Sequence, residues 1–265
     1  MYSAIRLSVK YVKYYLTAHN AKGHGVHSPF VFDFIQHVLN DDRTFYAYQS
    51  IENLQKMLMY DTRIQSLDKP DAEDGDHQTD QMSNPAIVKS SLMPLKYRQL
   101  LFRIIDHYAP EYLLELGTSL GMTSAYLAMA NPSSTLTTLD DFSRIVTLAK
   151  ENFQKLGIKN IRVIEGNIDR TLSGWLESKP KIDFAFIAGG YGYSSTHHYF
   201  TQILSNTHEY SILVFNHIHR SNEMEKAWDE IKLHPSVTLS IDLFSIGLIF
   251  FRKEFKVKQH LAIRF

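Results

Sequence analysis

The sequence predicts an α/β fold, a doubly wound sheet of seven strands in which five parallel strands are followed by a C-terminal antiparallel hairpin, with a helical N-terminal extension. Three observations predict it. Between Pro85 and Phe215 short β-rich runs alternate with helical stretches, and parallel neighbours need right-handed crossovers of the kind those helices supply. The segment VTLSIDLFSIGLIFFRKE holds two strands separated by about four residues, too few for a crossover helix, so that pair must be an antiparallel hairpin. The first 66 residues carry helical rather than alternating periodicity.

In chain order, HSPFVFDFIQHVLN reads as a short helix with Ser28 as N-cap and Pro29 at the first helical position, where a missing N–H costs nothing. Ala47, Ile51, Leu54 and Leu58 then form one apolar stripe on a longer helix, with Asp41 and Asp42 as capping candidates. Residues 68–81 carry six acids against one lysine and no apolar periodicity, which reads as a loop. Pro94 opens a helix that turns Leu101, Ile104, Ile105 and Tyr108 inward. The five crossover strands are expected at 111–116, 135–139, 161–164, 182–187 and 211–215. The domain organisation this implies is a helical extension over 1–66, an acidic loop or lid over 67–85, and the α/β domain over 86–265.

Composition narrows the function classes. A chain of 265 residues suits one large domain or one domain with an appendage. With 44% hydrophobic and 21% charged residues, collagen, coiled coil and wholesale disorder are excluded. Lys+Arg and Asp+Glu number 28 each, so there is no global attraction to nucleic acid or to an anionic membrane. Absent cysteine excludes disulfides, thiolate metal sites and a thiol nucleophile.

The first 20 residues break their apolar positions with Arg6, Lys10 and Lys13, unlike a signal peptide, and no apolar run is long enough to span a bilayer. The expectation is a cytoplasmic protein without membrane association. Arg6, Lys10 and Lys13 share one helix face, and no acid precedes Asp33. That face reads as solvated, with docking of an anionic partner such as RNA as the alternative; nucleic acid is not the expected partner.

The motif that carries the functional reading is LLELGTSLGMTSAYLA, which runs from a strand into a helix through Glu115, Gly117 and Gly121. Gly117 lets the backbone leave the strand sharply, and Gly121 lets a helix N-terminus approach a ligand where a Cβ would collide. Asp140 stands 23 residues after Gly117, at the end of the next strand, where a carboxylate can accept both hydroxyl protons of a ribose. A dinucleotide fingerprint would need G-x-G-x-x-G, and Ser119 occupies its middle place. A nicotinamide-dependent oxidoreductase is therefore the weakest option.

An acid-x-Gly-x-x-x-Gly turn combined with a terminal hairpin resembles the class I S-adenosylmethionine-dependent methyltransferases, over about residues 90 to 253. The resemblance implies a Rossmann-like fold and S-adenosylmethionine as cofactor. Glu115, Gly117, Thr118, Ser119 and Gly121 would lie about its methionine portion, Asp140 on the ribose, and Asn167 and Ile168 of EGNIDRTL at the adenine. HGVHSPFVFDFI, PLKYRQLLFRII and NFQKLGIKNIRVIEGNIDRTL are further similar to a bacterial group of these enzymes with the same two-part layout. The acceptor implied is a small molecule, and a homo-oligomer is compatible with the resemblance.

Methyl transfer is an in-line displacement, so much of the catalysis lies in holding nucleophile and methyl in line, while a base or metal removes the acceptor proton. In catechol-type relatives, acids at the ends of strands four and five hold Mg²⁺. Here Ala188 stands where the first acid is common, Gly190 and Tyr191 follow it, and Asn216 and His217 replace two carboxylates, with Arg220 where the relatives carry Trp. Hard cations prefer oxygen donors, so no metal site is expected. His219 and Asn216 are the candidates for activating or orienting the acceptor.

Tyr191, Tyr193, Tyr199, His197 and His198 are candidates for a pocket that stacks a planar substrate, against the plainer reading of half-buried side chains. LDKPDAEDG replaces a glycine-rich stretch of the relatives with clustered negative charge. These departures leave two readings: a methyltransferase with a changed acceptor, or a non-catalytic protein that keeps the cofactor pocket or docks a partner.

Overall fold

A computed structural model describes residues 1–19, 28–61, 64–67, 80–83, 85–86, 93–178, 181–188 and 192–265. In chain order its elements are α1 (Ala4–Thr17), α2 (Pro29–Phe34, continued by a π-helical turn Ile35–Leu39), α3 (Tyr46–Tyr60), β1 (Ile64–Leu67), β2 (Asp80–Ser83) and α4 (Leu95–Tyr108). Then come β3 (Tyr112–Leu116), α5 (Met122–Ala130), β4 (Thr135–Asp140), α6 (Ser143–Lys155), β5 (Ile161–Glu165), α7 (Ile168–Glu177), β6 (Phe184–Ile187) and α8 (Tyr193–Leu204). The chain closes with β7 (Ile212–Asn216), α9 (Asn222–Leu233), β8 (Leu239–Asp242), β9 (Ile246–Phe250) and β10 (Gln259–Ala262). All five predicted crossover strands and the hairpin are present, in a mixed α/β fold whose strands are mostly parallel.

The chain forms two compact units, Asp42–Ser178 and Met1–Asp41 with Lys179–Phe265. This division differs from the cuts expected at 66 and 85. The reason is that α3 belongs with the helices after it: its stripe Ala47, Ile51, Leu54 and Leu58 joins one core with Phe102, Leu120, Met122, Tyr126 and Leu148. Residues 68–79 of the acidic loop lie outside the described residues. The ends of that stretch hold a two-stranded antiparallel pair, β1 with β2, in the register Ile64↔Ser83, where helix and loop were expected.

Within Asp42–Ser178, β3, β4 and β5 are parallel neighbours, with Leu113 opposite Leu136 and Leu139 opposite Ile164. Leu113, Leu114, Leu116, Leu136 and Leu139 are all buried, as strands covered on both faces must be. Helix α3 begins after Phe45, with no side-chain cap, so Asp41 and Asp42 do not cap it; the helix starts too far downstream for their carboxylates to serve N2 or N3.

In the other unit, β6 and β7 are parallel, and β7 pairs antiparallel with β9, which turns back on β8. β10 then adds a parallel strand on β8, His260 opposite Ser240. The predicted count of seven omitted it, because QHLA is too short and polar to announce a strand. Ser28 caps α2 as predicted, its side chain accepting the Val31 N–H at 3.3 Å ahead of Pro29. Helix α1 is fixed through the buried Tyr14, whose hydroxyl donates to the Ile263 carbonyl, and through the Tyr2 N–H, which donates to the Arg220 carbonyl at 2.9 Å.

Candidate functional site

The turn from β3 into α5 is built from left-handed backbone. Gly117 has φ +97°, Ser119 +48° and Gly121 +77°, a run that swings the chain away from the strand before the helix starts. Ser119 is not a glycine and tolerates this conformation at some cost. Gly121 heads α5 with no side-chain cap on the first turn, which leaves N–H groups at that end without an internal acceptor. Glycine at 121 has a packing reason that the sequence did not show: a Cβ there would lie 2.4 Å from Phe153 Cε1 on α6. Helix packing, together with the positive φ, accounts for it.

Beneath the turn lies a chain of polar contacts. Glu115 is fully buried, and its Oε2 accepts from Ser124 and, at 2.7 Å, from Thr138, while Oε1 has no partner. Burial pushes this carboxyl up to about 8, against the two hydroxyl donors and with help from the charge of Asp140. Thr118 shares a hydrogen bond of 2.6 Å with Thr138 and is itself buried. Asp140, 6% exposed, faces the turn: Oδ2 accepts the Ser119 N–H at 2.8 Å and Oδ1 the Phe142 N–H at 3.1 Å. Burial raises its pKa, and those backbone donors oppose the rise. Each of its oxygens retains lone-pair capacity for a further donor.

Asn167 and Ile168 follow β5 as expected, at the head of α7. Asn167 caps the helix through Oδ1, which accepts the Arg170 N–H at 3.3 Å. The Ile168 N–H donates to Asp141 Oδ1 at 2.6 Å, and its side chain is buried. Sequence reasoning passed over Asp141. The doubled acid in TLDDFS was the available signal: Asp140 serves the first turn and Asp141 the loop after β5.

In the other unit, β7 ends on Asn216, which is 8% exposed and whose Oδ1 has no hydrogen-bond partner. His217 follows with φ +59°, its N–H donating to the Ser245 carbonyl at 2.6 Å. Burial, and then the charge of Arg220, lower its imidazole to about 4, so it is neutral at ordinary pH. His219 differs in state: Nε2 meets Asp242 Oδ2 at 2.7 Å and Nδ1 meets Glu225 Oε1 at 3.0 Å. Burial favours its neutral form, but the two carboxylates outweigh that and raise its pKa. Glu225 also receives Lys10 Nζ at 2.9 Å and the Tyr2 hydroxyl at 2.7 Å. The two imidazoles are thus pushed in opposite directions, His217 down by burial and His219 up by its two carboxylates.

The aromatic cluster after β6 separates on α8. Tyr193 and His197 stack at 5.8 Å, with the Tyr193 hydroxyl donating to Glu230 at 2.5 Å, whereas Tyr199 is buried. Tyr191 and Gly190 lie outside the described residues. Among the described residues no group of three or more His, Asp or Glu is placed to hold a metal ion, and none of their helices is long and apolar enough to cross a membrane.

Residues 114–218 match the model of a sequence family described as a methyltransferase domain. No curated protein matches the chain in sequence. Among solved structures, a methyltransferase of Podospora anserina bound to S-adenosylhomocysteine is similar over 85% of this chain and 97% of its own, with a TM-score of 0.59 and 12% identity. An O-methyltransferase of Bacillus cereus in complex with S-adenosylhomocysteine matches over 83% and 97%, with a TM-score of 0.54 and 15% identity. TomG, an O-methyltransferase of Streptomyces achromogenes solved with S-adenosylmethionine, matches over 95% and 100%, with a TM-score of 0.55 and 13% identity. At such identities the likeness is one of fold, and the fold is that of the class I methyltransferases which the turn and hairpin resemble.

Proposed function

We propose, on the premise that residues 114–218 form a methyltransferase domain, that this chain transfers a methyl group from S-adenosylmethionine to an oxygen of a small-molecule acceptor. The observation that carries the reading is the Asp140 carboxylate, drawn into the left-handed turn at Gly117–Gly121 rather than out to bulk water. The turn suits such a cofactor on its own atoms. Glu115 Oε1 is a buried carboxyl oxygen without a partner, which a bound ammonium would hold ionised against the burial that raises its pKa, and the first turn of α5 offers uncapped N–H groups. Both match a zwitterionic methionine portion, which brings an ammonium and a carboxylate. The structures similar to this chain that were solved with S-adenosylmethionine or S-adenosylhomocysteine support the same assignment.

The cofactor's sulfonium supplies an electrophilic methyl group. Gly117, Thr118, Ser119 and Gly121 shape the turn, and Thr118 does so by tying it to Thr138 rather than by reaching outward. Asp140 accepts hydroxyl hydrogens with the lone pairs its two backbone donors leave free. Asn167 and Ile168 present the head of α7, held by Asp141. For the acceptor we assign Asn216 and His219. Asn216 offers an unengaged buried carbonyl oxygen to a hydroxyl hydrogen. His219, engaged at both nitrogens by Glu225 and Asp242, orients the acceptor rather than acting as the proton acceptor, and those carboxylates favour its charged form.

Calorimetric titration with S-adenosylmethionine tests the first half, with a dissociation constant on the order of micromolar expected. An absence of heat together with an unmoved thermal transition at saturating cofactor sinks the proposal. Release of S-adenosylhomocysteine over a panel of phenols and other hydroxyl acceptors tests the second half. With Ala188, Asn216 and His217 in place of carboxylates, turnover is expected to survive a chelator.

A further inference from the structure

Helix α1 is amphipathic in an unusual way: its core-facing side is anchored, and its opposite side is apolar and open. Ile5, Val9, Val12 and Leu16 are 79%, 65%, 56% and 72% exposed. Their spacing places them along one stripe of the helix. Among the described residues, seven of the sixteen large exposed apolar or aromatic side chains fall within the first 16 positions, which makes this a patch rather than scatter. The helix cannot roll to hide it, because Tyr14, Lys10 and Tyr2 fix the other side to Ile263, Glu225 and Arg220.

Charge says what covers the stripe. Exposed Arg6 and Lys13 lie along one edge, and Arg264 stacks on Tyr15 at 4.8 Å along the other. No acid occurs before Asp33. Lys10, the third basic residue of the predicted face, is spent on Glu225 and takes no part. An apolar stripe bracketed by cations, with no acid near it in sequence, is complementary to an interface of acyl chains below and anionic headgroups above. A second copy of the chain fits less well. Fourteen residues of helix are about 21 Å long, so one stripe covers about 400–500 Å², below the ~800 Å² per partner that a stable dimer buries.

We infer that α1 lies flat on anionic phospholipid membranes, with Ile5, Val9, Val12 and Leu16 entering the acyl boundary and Arg6 and Lys13 meeting the headgroups. The helix rests on the membrane without crossing it, a distinct case from the spanning segment that the sequence lacks.

The full chain is spun with vesicles of phosphatidylcholine alone and of phosphatidylcholine mixed with phosphatidylserine. Binding to the mixed vesicles at least about tenfold stronger than to the neutral ones is expected, declining as salt rises. The double variant Val9→Glu, Val12→Glu is expected to lose binding, and Arg6→Gln with Lys13→Gln to weaken it about thirtyfold. All four positions are solvent-exposed, so an unchanged thermal transition establishes that each variant is folded. Equal binding to both vesicle types, no binding to either, or undiminished binding by the glutamate variant overturns the inference. So does a concentration-dependent doubling of mass abolished by Val9→Glu, which assigns the stripe to a second copy. A mobility shift of single-stranded RNA without vesicle binding also overturns it, in favour of nucleic acid.

Discussion

Asp242 Oδ2 lies 2.7 Å from His219 Nε2, on the opposite side of the ring from Glu225. A neutral imidazole has one N–H and can satisfy one of these carboxylates; the imidazolium satisfies both. The same Glu225 receives Lys10 from α1 and Tyr2 from just before it, so His219 shares a carboxylate with the attachment of the N-terminal helix. The pair of carboxylates decides the state of the ring, and burial alone would have decided it the other way.

A pH dependence follows. His219 has a folded pKa above its unfolded value near 6.5, so its stabilisation is fully present below about pH 6.5 and is lost as pH rises through the raised value. Denaturant midpoints followed across that window are expected to fall for the wild type, and His219→Gln, which keeps one hydrogen bond and no charge, is expected to remove this part of the fall. The ring resonances titrating at or below the ordinary value would contradict it.

Glu115 produces a broader effect of the same sign. Its folded pKa of about 8 stands above 4.5 in the unfolded chain, so stability present below about pH 4.5 declines as the pH approaches 8, with a slope of at most ~1.4 kcal/mol per pH unit. Glu115→Gln keeps an acceptor for Ser124 and Thr138 and cannot ionise, so its slope is expected to be flatter over this range. Urea titrations at pH 5 and pH 8 are sufficient to compare the two proteins.

Asp140→Ala removes the acceptor of two backbone N–H groups. Hydrogen bonds to a charged acceptor contribute about 1.5–3 kcal/mol each, so a stability loss of about 3–6 kcal/mol is expected. Asp140→Asn keeps an oxygen for one of them and should lose less. Both variants are expected to bind S-adenosylmethionine at least about tenfold more weakly by calorimetry. Unaltered affinity in a folded Asp140→Ala protein would remove the aspartate from the cofactor site.

Gly121→Ala forces a Cβ to within 2.4 Å of Phe153 at a backbone φ of +77°. Overpacking of this kind costs about 1–3 kcal/mol, and the left-handed conformation adds about 1–2 kcal/mol for a residue with a Cβ. Phe153→Leu in the same chain is expected to return part of the first cost but none of the second. A double-mutant cycle on unfolding free energies reads the coupling, and strict additivity would show that the ring does not set the limit.

Much of the fold was legible because it rests on short-range pattern. The strand and helix alternation from β3 to β9, the Ser28 cap with Pro29 behind it, and the turn at Gly117–Gly121 all follow from residues within a few positions of one another. What failed was equally specific. Asp41 and Asp42 looked like caps, but α3 begins four residues beyond Asp42, after Phe45. β10 is four residues long and pairs with a strand 20 positions earlier, and pairing of that kind leaves little local trace. The closeness of Phe153 to Gly121 was likewise not legible, since the two are 32 residues apart in the chain.

The sequence by itself determined the strand and helix alternation from β3 to β9, the glycine turn after β3, and which acids stand at strand ends, because each depends on the chemistry and spacing of near neighbours. The tertiary structure alone decided that carboxylates raise the pKa of His219 while burial lowers that of His217, that burial pushes the Glu115 carboxyl up to about 8, that Lys10 is paired with Glu225, and that one stripe of α1 stays exposed. Ionisation and exposure are set by desolvation and by charges brought from far along the chain, and no local pattern encodes how much water a folded chain will exclude from a given atom.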